Sequence, residues 1–268
     1  MTDTMLGRMC LIFWPELDEK KRVDLLATVM LDWALITPLV IMGGLLPYGR
    51  YTYRQKMVYV DSKIGWVLQE SPSFLIPLHA VWTARNNLPS LPALILLGTF
   101  LIHYGYRVLV YSLKIRGGKP SPLSFVFLAA LFCACNGYMQ ANFLLRYSSY
   151  PMSWMTEWNF MVGIVLFAIG LYTNIRCDNI LRNLRKPGET GYKIPRGWVF
   201  DYVSGGNYFG ESLEWAGWAL ACWSVQGFSF AVFATTFLLC RSVEHHKWYH
   251  SNFRTYPKDR KIFIPFVW

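Results

Sequence analysis

The sequence predicts an all-α integral membrane protein of seven transmembrane helices, with the N-terminus outside and the C-terminus in the cytoplasm. Three observations predict it. Apolar residues make up 54% of the 268 residues and charged residues only 16%, against about a quarter charged in an ordinary soluble domain. The apolar residues fall into runs of about the 20 residues that a helix needs to cross a bilayer. The Lys and Arg residues, which bring the net charge to +10, gather in short clusters between those runs. That arrangement excludes a soluble domain and argues against a nucleic-acid partner, whose footprint is a basic face rather than basic loops. Twelve Trp, 16 Tyr and 18 Phe exclude a disordered chain.

The runs are 24–47, 65–83, 92–113, 123–145 and 158–175. The stretch 212–240 is too long for one span, and it divides near Gln226-Gly227 into two closely joined helices. The second run is the weakest, with Pro72 and Pro77 inside it and Gln69-Glu70 near its start. The apolar stretch 9–15 is too short for a signal peptide and lacks a cleavage site. The six cysteines mostly lie inside apolar runs without disulfide or zinc spacing, so they read as small hydrophobes.

Orientation follows from the basic loops. Seven spans put the first, third and fifth loops and the tail on one side. Those segments hold Arg50, Arg54, Lys56 and Lys63; Lys114, Arg116 and Lys119; Arg176, Arg182, Arg185, Lys186, Lys193 and Arg196; and six more in the tail. They account for nineteen of the 26 Lys and Arg, whereas the opposite loops hold only Arg85 and Arg146. The positive-inside rule makes the basic side cytoplasmic. Lys20-Lys21-Arg22 runs against the rule and is outweighed by the later loops.

Ionisable residues inside apolar runs are costly, so a functional or paired role is the default. Asp32 sits mid-span with no evident partner, and function and helix pairing stand level for it. Gln69-Glu70 makes a polar island that favours function. Glu211, Glu214 and Arg107 complete the set. At 3.6 residues per turn Tyr104, Arg107 and Tyr111 share a face beside His103. A phenol beside a cation makes a proton donor; the blander alternative is a packing stripe with Arg107 snorkelling to the loop.

Downstream, Asn174, Asp178, Arg182 and Arg185 follow helical spacing out of the fifth span. A turn at Leu184-Arg185-Lys186-Pro187-Gly188-Glu189 and then Tyr192-Lys193 come next. A second turn, residues 202–208, opens the helix bearing Glu211, with Asn207 as the expected cap. Arg241, His245 and Tyr249 repeat every four residues, with Arg260 beyond them. This density suits a large phosphorylated ligand, although a solvated basic loop at anionic lipid would share the charge. There is no glycine fingerprint after a strand, so a nucleotide here would be bound without a Rossmann fold. His245-His246-x3-His250 has only His79 and His103 to complete a ligand set, which argues against a metal.

Taken together, Gln69-Glu70-x-Pro72-Ser73-Phe74, His103-Tyr104 with Val110-Tyr111-Ser112-Leu113, residues 184–189, residues 202–207 and Ile264-Pro265-Phe266 resemble the steroid 5α-reductase family. The resemblance runs from about Gly65 to the C-terminus. It implies a seven-helix, multi-pass membrane enzyme, in the endoplasmic reticulum of a eukaryote or a bacterial inner membrane. Such an enzyme uses NADPH to reduce the C4–C5 double bond of 3-oxo-Δ4-steroids. By the same resemblance Glu70 and Tyr104 hydrogen-bond the C3 oxygen, with Gln69 alongside, and Glu70 donates only in its neutral form. The cofactor contacts it implies are Asn174, Asp178, Arg185, Tyr192, Lys193, Asn207, Glu211, Arg241, His245, Tyr249 and Arg260. Lys193 stands where animal members carry arginine, and Glu244-His245-His246 stands where three histidines are common.

The expected organisation is a single membrane-embedded domain. It divides into an N-terminal segment (1–23), five helices (24–175), a cytoplasmic cofactor loop (176–211), and two helices with a tail (212–268). Expected partners are a steroid and the bilayer, with no metal or nucleic acid, around a monomer. Two other readings remain open: a related enoyl reductase acting on acyl-CoA or polyprenol, and a non-enzymatic sterol-binding membrane protein.

Overall fold

The computed structural model describes residues 4–12, 14–45, 49–51, 57–185, 189 and 191–268. Arg54, Lys56, Lys186, Pro47 and the Pro187-Gly188 turn lie outside the described residues. The described chain is a bundle of eight helices: α1 (Met5–Ile12), α2 (Glu19–Met42), α3 (Ser62–Ala84), α4 (Leu91–Lys114), α5 (Leu123–Tyr147), α6 (Trp158–Asn183), α7 (Gly206–Cys222) and α8 (Val225–Asn252). One two-residue antiparallel ladder pairs β1 (Tyr59–Val60) with β2 (Ser121–Pro122) and holds the starts of α3 and α5 together.

Side-chain caps start several helices. Asp18 accepts from Lys21 N at 3.2 Å to begin α2, and Asp61 accepts from Lys63 N at 2.9 Å to begin α3. Ser224 accepts from Gly227 N at 3.1 Å to begin α8. Pro92 opens α4, where its missing N–H costs nothing. Trp223 ends α7 in the left-handed region, so the turn between the last two helices falls at 223–224 rather than at the expected Gln226-Gly227.

Five helices, α2, α4, α5, α6 and α8, are long and apolar enough to cross a membrane. The remaining long element, α3, carries Gln69, Glu70, Pro72 and Pro77, and α7 has only 17 residues. Both nonetheless pack into the bundle, α3 against α5 and α7 against α6. The α6–α7 contact is close because glycines line it. A Cβ on Gly170 would stand 2.2 Å from Glu214 N, and one on Gly217 would stand 2.5 Å from Phe167 N. At their centre Phe100, Trp215 and Trp218 are fully buried, with Phe100 to Trp218 centroids 5.5 Å apart.

Three local expectations are corrected. The chain before the first span forms α1, whose Arg8 reaches Asp32 Oδ2 at 2.5 Å, so the unpartnered intramembrane acid has a partner. Asn207 does not cap α7: Gly205 holds that position, and Asn207 lies inside the first turn with its amide turned to Asp178. The stripe from Asn174 breaks before Arg185, because α6 ends at Asn183.

Candidate active site

Two polar groups meet in the middle of the bundle. On α4 the backbone loosens into a π-turn over Arg107–Tyr111, a single-turn bulge of the kind found at functional sites. It leaves Arg107 buried, with its guanidinium 4.4 Å over the Tyr111 ring and 4.8 Å from the Trp66 ring. Nη2 donates to Glu70 Oε1 at 3.4 Å, and Nη1 donates to Asp178 Oδ2 at 3.5 Å. Arg107 therefore does not snorkel. It joins the polar island on α3 to the acid on α6.

From Asp178 the network continues through α7. Asn207 Nδ2 donates to Asp178 Oδ1 at 3.3 Å, and Asn174 Nδ2 donates to Asn207 O at 3.1 Å and to Glu211 Oε2 at 3.3 Å. Tyr104, one turn before Arg107, is buried and accepts from Asn136 Nδ2 at 3.5 Å. Gln140 Nε2 donates to Asn136 Oδ1 at 3.2 Å, behind the phenol. Among the described residues no hydrogen bond joins Glu70 to Tyr104, and Gln69 has no side-chain partner. Next to Tyr104, His103 Nδ1 lies 2.8 Å from Glu214 Oε1, a pair sealed from solvent whose Oε2 has no partner.

A second cluster sits at the end of the bundle where α8 finishes. Arg50 lies over the rings of Tyr192, Trp248 and Tyr249, at 5.0, 4.7 and 4.9 Å, and donates to Tyr249 Oη at 3.3 Å. Tyr51 Oη and His245 Nδ1 are 2.6 Å apart, and His245 Nε2 is 3.3 Å from Tyr208 Oη. Burial pushes the Tyr51 phenol up, so it stays neutral and serves as a hydrogen-bonding wall. Arg241 pairs with Glu244 Oε2 at 2.6 Å and lies 4.8 Å over Tyr51. Arg185 lies over Tyr192 at 5.7 Å.

The structure thus gathers Glu70 with Asp178, Asn174, Asn207 and Glu211, and separately Arg185, Tyr192, Arg241, His245 and Tyr249. It does not bring Lys193 or Arg260 into either group. Lys193 pairs with Glu189 in the exposed loop, and Arg260 donates to Pro195 O at 3.1 Å. Tyr51 and Asn136 carry no sequence signal of a site, and Arg50 reads only as a basic loop residue. Nothing in the spacing around Arg50 shows that its loop folds against Tyr249, which lies 199 residues downstream. Arg107 reads from the sequence as an intramembrane charge, yet its link to Asp178 needs α4 and α6 to meet.

Several buried polar atoms remain unsatisfied: Asn174 Oδ1, Arg50 Nη1 and Arg182 Nη2. Buried polar groups are ordinarily paired. Asn174 Oδ1, whose own amide donates to Glu211, and Arg50 Nη1, beside three aromatic rings, fit the nicotinamide and phosphate ends of a dinucleotide.

Residues 119–268 match the family model described as 3-oxo-5-alpha-steroid 4-dehydrogenase. The chain is 47% identical over 253 residues to 3-oxo-5-alpha-steroid 4-dehydrogenase 1 of Rattus norvegicus, which covers 94% of this chain and 98% of the relative. It is 49% identical over 221 residues to the Homo sapiens type 1 protein, covering 82% and 85% of the two chains. Against the Homo sapiens type 2 protein it is 42% identical over 222 residues, covering 82% and 87%.

Proposed function

The chain belongs to the 3-oxo-5-alpha-steroid 4-dehydrogenase family, and from that premise we propose how its residues divide the work. It is a membrane-type oxidoreductase that reduces 3-oxo-Δ4-steroids and uses a nicotinamide cofactor. We infer that the cofactor is NADPH, that the chain forms one membrane domain acting as a monomer, and that α2 to α8 supply seven spans with the C-terminus cytoplasmic. The packing of α3 and α7 into the bundle supports the span count.

Hydride addition at C5 leaves negative charge on the C3 oxygen as an enolate develops. Groups preorganised to donate there, in a site without bulk water, stabilise the transition state more than the ground state. We assign that role to the Tyr104 phenol and the Glu70 carboxyl, with Gln69 on the same stretch of α3. Arg107 engages only Oε1 of Glu70 among the described residues, which leaves Oε2 for the substrate. Its cation also offsets the developing enolate charge. When bound, NADPH supplies the hydride. Asn174, Asp178, Asn207 and Glu211 would hold its nicotinamide end, while Arg185, Tyr192, Arg241, His245 and Tyr249 would hold its phosphates and adenosine, with Arg50 and Tyr51 added to that set. Lys193 and Arg260 carry over from the family resemblance alone.

One observation supports this division most. Arg107 touches both the carboxyl group assigned to the steroid, Glu70, and the one assigned to the cofactor, Asp178, as hydride transfer between adjacent ligands requires. Membranes containing the protein, given NADPH and progesterone or testosterone, should lose the enone absorbance and yield a 5α-dihydro product. Turnover of an enoyl-CoA but no Δ4-3-ketosteroid would overturn the assignment.

A further inference from the structure

The tail closes on the start of α7 in a way that the reductase chemistry does not use. Lys261 N donates to Tyr202 O at 2.8 Å, Ser204 N to Lys261 O at 2.9 Å, and Gly205 N to Ile262 O at 3.1 Å. The main-chain oxygen of Trp268 accepts from Phe263 N and Ile264 N, which curls the last residues back. Beside this seam lies a basin of about 450 Å³ lined by His246, Lys258, Arg260, Lys261, Val267 and Trp268. Asp259 is its one acidic lining residue.

The charge there has no protein counterpart. Among the described residues neither Lys258 nor Lys261 has a carboxylate partner, and Arg260 forms no ion pair. Arg260 is 4% exposed, and its Nε is buried without a partner. Among its side chains the basin sets three cations and an imidazole against one carboxylate. Its surroundings are as unusual for being apolar. Phe266 and Val267 are 74% and 71% exposed, Ile264 and Trp268 are exposed in the same turn, and the exposed Tyr202 ring lies 4.7 Å from that of Phe266. Phe266 and Trp198 hold their rings outward from backbones at φ 66° and 54°, a left-handed conformation that bulky residues adopt only at a cost. Arg176 lies 4.2 Å over Trp198 from the neighbouring stretch of α6.

A cationic recess rimmed by exposed aromatic and aliphatic side chains, at the level where α7 begins and α8 ends, has the chemistry of a membrane interface. A soluble phosphate would account for the cations and leave the apolar rim without purpose. Tyr249 and Tyr256 stack at 5.1 Å, with Arg50 over the first ring and Arg260 over the second. The two stacked rings stand between Arg50 of the dinucleotide cluster and Arg260 of the basin. We propose that this basin is a binding site for the phosphate headgroup of an anionic phospholipid, with the rim residues seated in the interface around it.

The test uses the full chain in nanodiscs of phosphatidylcholine mixed with phosphatidylglycerol, with retained lipid counted by native mass spectrometry. The wild type should keep phosphatidylglycerol in preference to phosphatidylcholine. Lys258→Gln with Lys261→Gln should lower that preference about 25-fold, taking about fivefold for each cation at a lipid surface. Both side chains are exposed and the seam is made by backbone groups, so the double variant should fold. Equal retention of the two lipids, or a double variant that behaves as wild type, would overturn the site. So would displacement of the lipid by millimolar inorganic phosphate. A rise in the KM for NADPH without a change in lipid retention would give the basin to the cofactor instead.

Discussion

Arg107 and Glu70 meet at 3.4 Å across the α3–α4 contact, and both are largely withdrawn from solvent. The same guanidinium reaches Asp178 on α6. Removing one partner of a buried ion pair leaves the other charge uncompensated, which costs about 3–5 kcal/mol. Arg107→Met should therefore lower stability by about that amount, read as a fall in the unfolding midpoint in detergent. Arg107→Lys keeps the charge and loses the two-pronged reach, so it should fold while kcat falls. A lysine variant with wild-type kcat would show that the guanidinium geometry is unimportant.

His103 and Glu214 form a second sealed pair, packed on Trp215 with ring centroids 4.5 Å apart for the histidine. His103→Leu leaves Glu214 Oε1 in the core without its hydrogen-bond partner and should cost about 1–3 kcal/mol. Pairing it with Glu214→Leu should restore much of that loss, because replacing a buried pair by apolar groups is often neutral. Thermal unfolding of the two single variants and the double variant closes the cycle. Additive losses would contradict the reading.

Gly170 has no room for a side chain, since an added Cβ would fall on the backbone of Glu214. Gly170→Val should separate α6 from α7 and cost at least about 1–3 kcal/mol through overpacking. It should also disturb Asn174, which lies one turn along α6 and donates to Asn207 and Glu211. The expected signature is a lowered expression yield with a raised KM for NADPH in whatever folds.

Arg50 packs on three aromatic rings of the second cluster, and its Nη1 is buried without a partner. If that nitrogen serves a phosphate, Arg50→Ala should raise the KM for NADPH about tenfold, the loss of one charge-assisted contact. The KM for steroid should stay as it was. A change confined to steroid would move Arg50 to the other site.

How much of this was legible follows from what each feature depends on. Apolar runs mark spans directly, so α4 and α5 lie close to their runs, whereas α2 begins and ends earlier than its run and α8 continues past the end of its own to Asn252. The helical spacing from Asn174 carries α6 out of its apolar run, but it does not mark the end: Arg185 shares the spacing, yet the helix stops at Asn183. The α1 helix has eight residues, and the partner that anchors it, Asp32, lies 24 residues away. The π-turn at Arg107 is invisible to a 3.6-residue period. The Glu70 and Tyr104 motifs were readable as residue types. The connection of Glu70 through Arg107 and Asp178 to Asn207 depends on four helices meeting, which local pattern does not encode.

The most direct test is the turnover of a Δ4-3-ketosteroid by Tyr104→Phe, with NADPH saturating and product identity followed by mass. The variant keeps the ring packed between Phe100 and Trp215 and removes only the hydroxyl. The account predicts a folded protein whose kcat is lower by about 10²–10³, the loss expected from one donor to a developing oxyanion. A folded variant that makes the 5α-dihydro product at the wild-type kcat would contradict it.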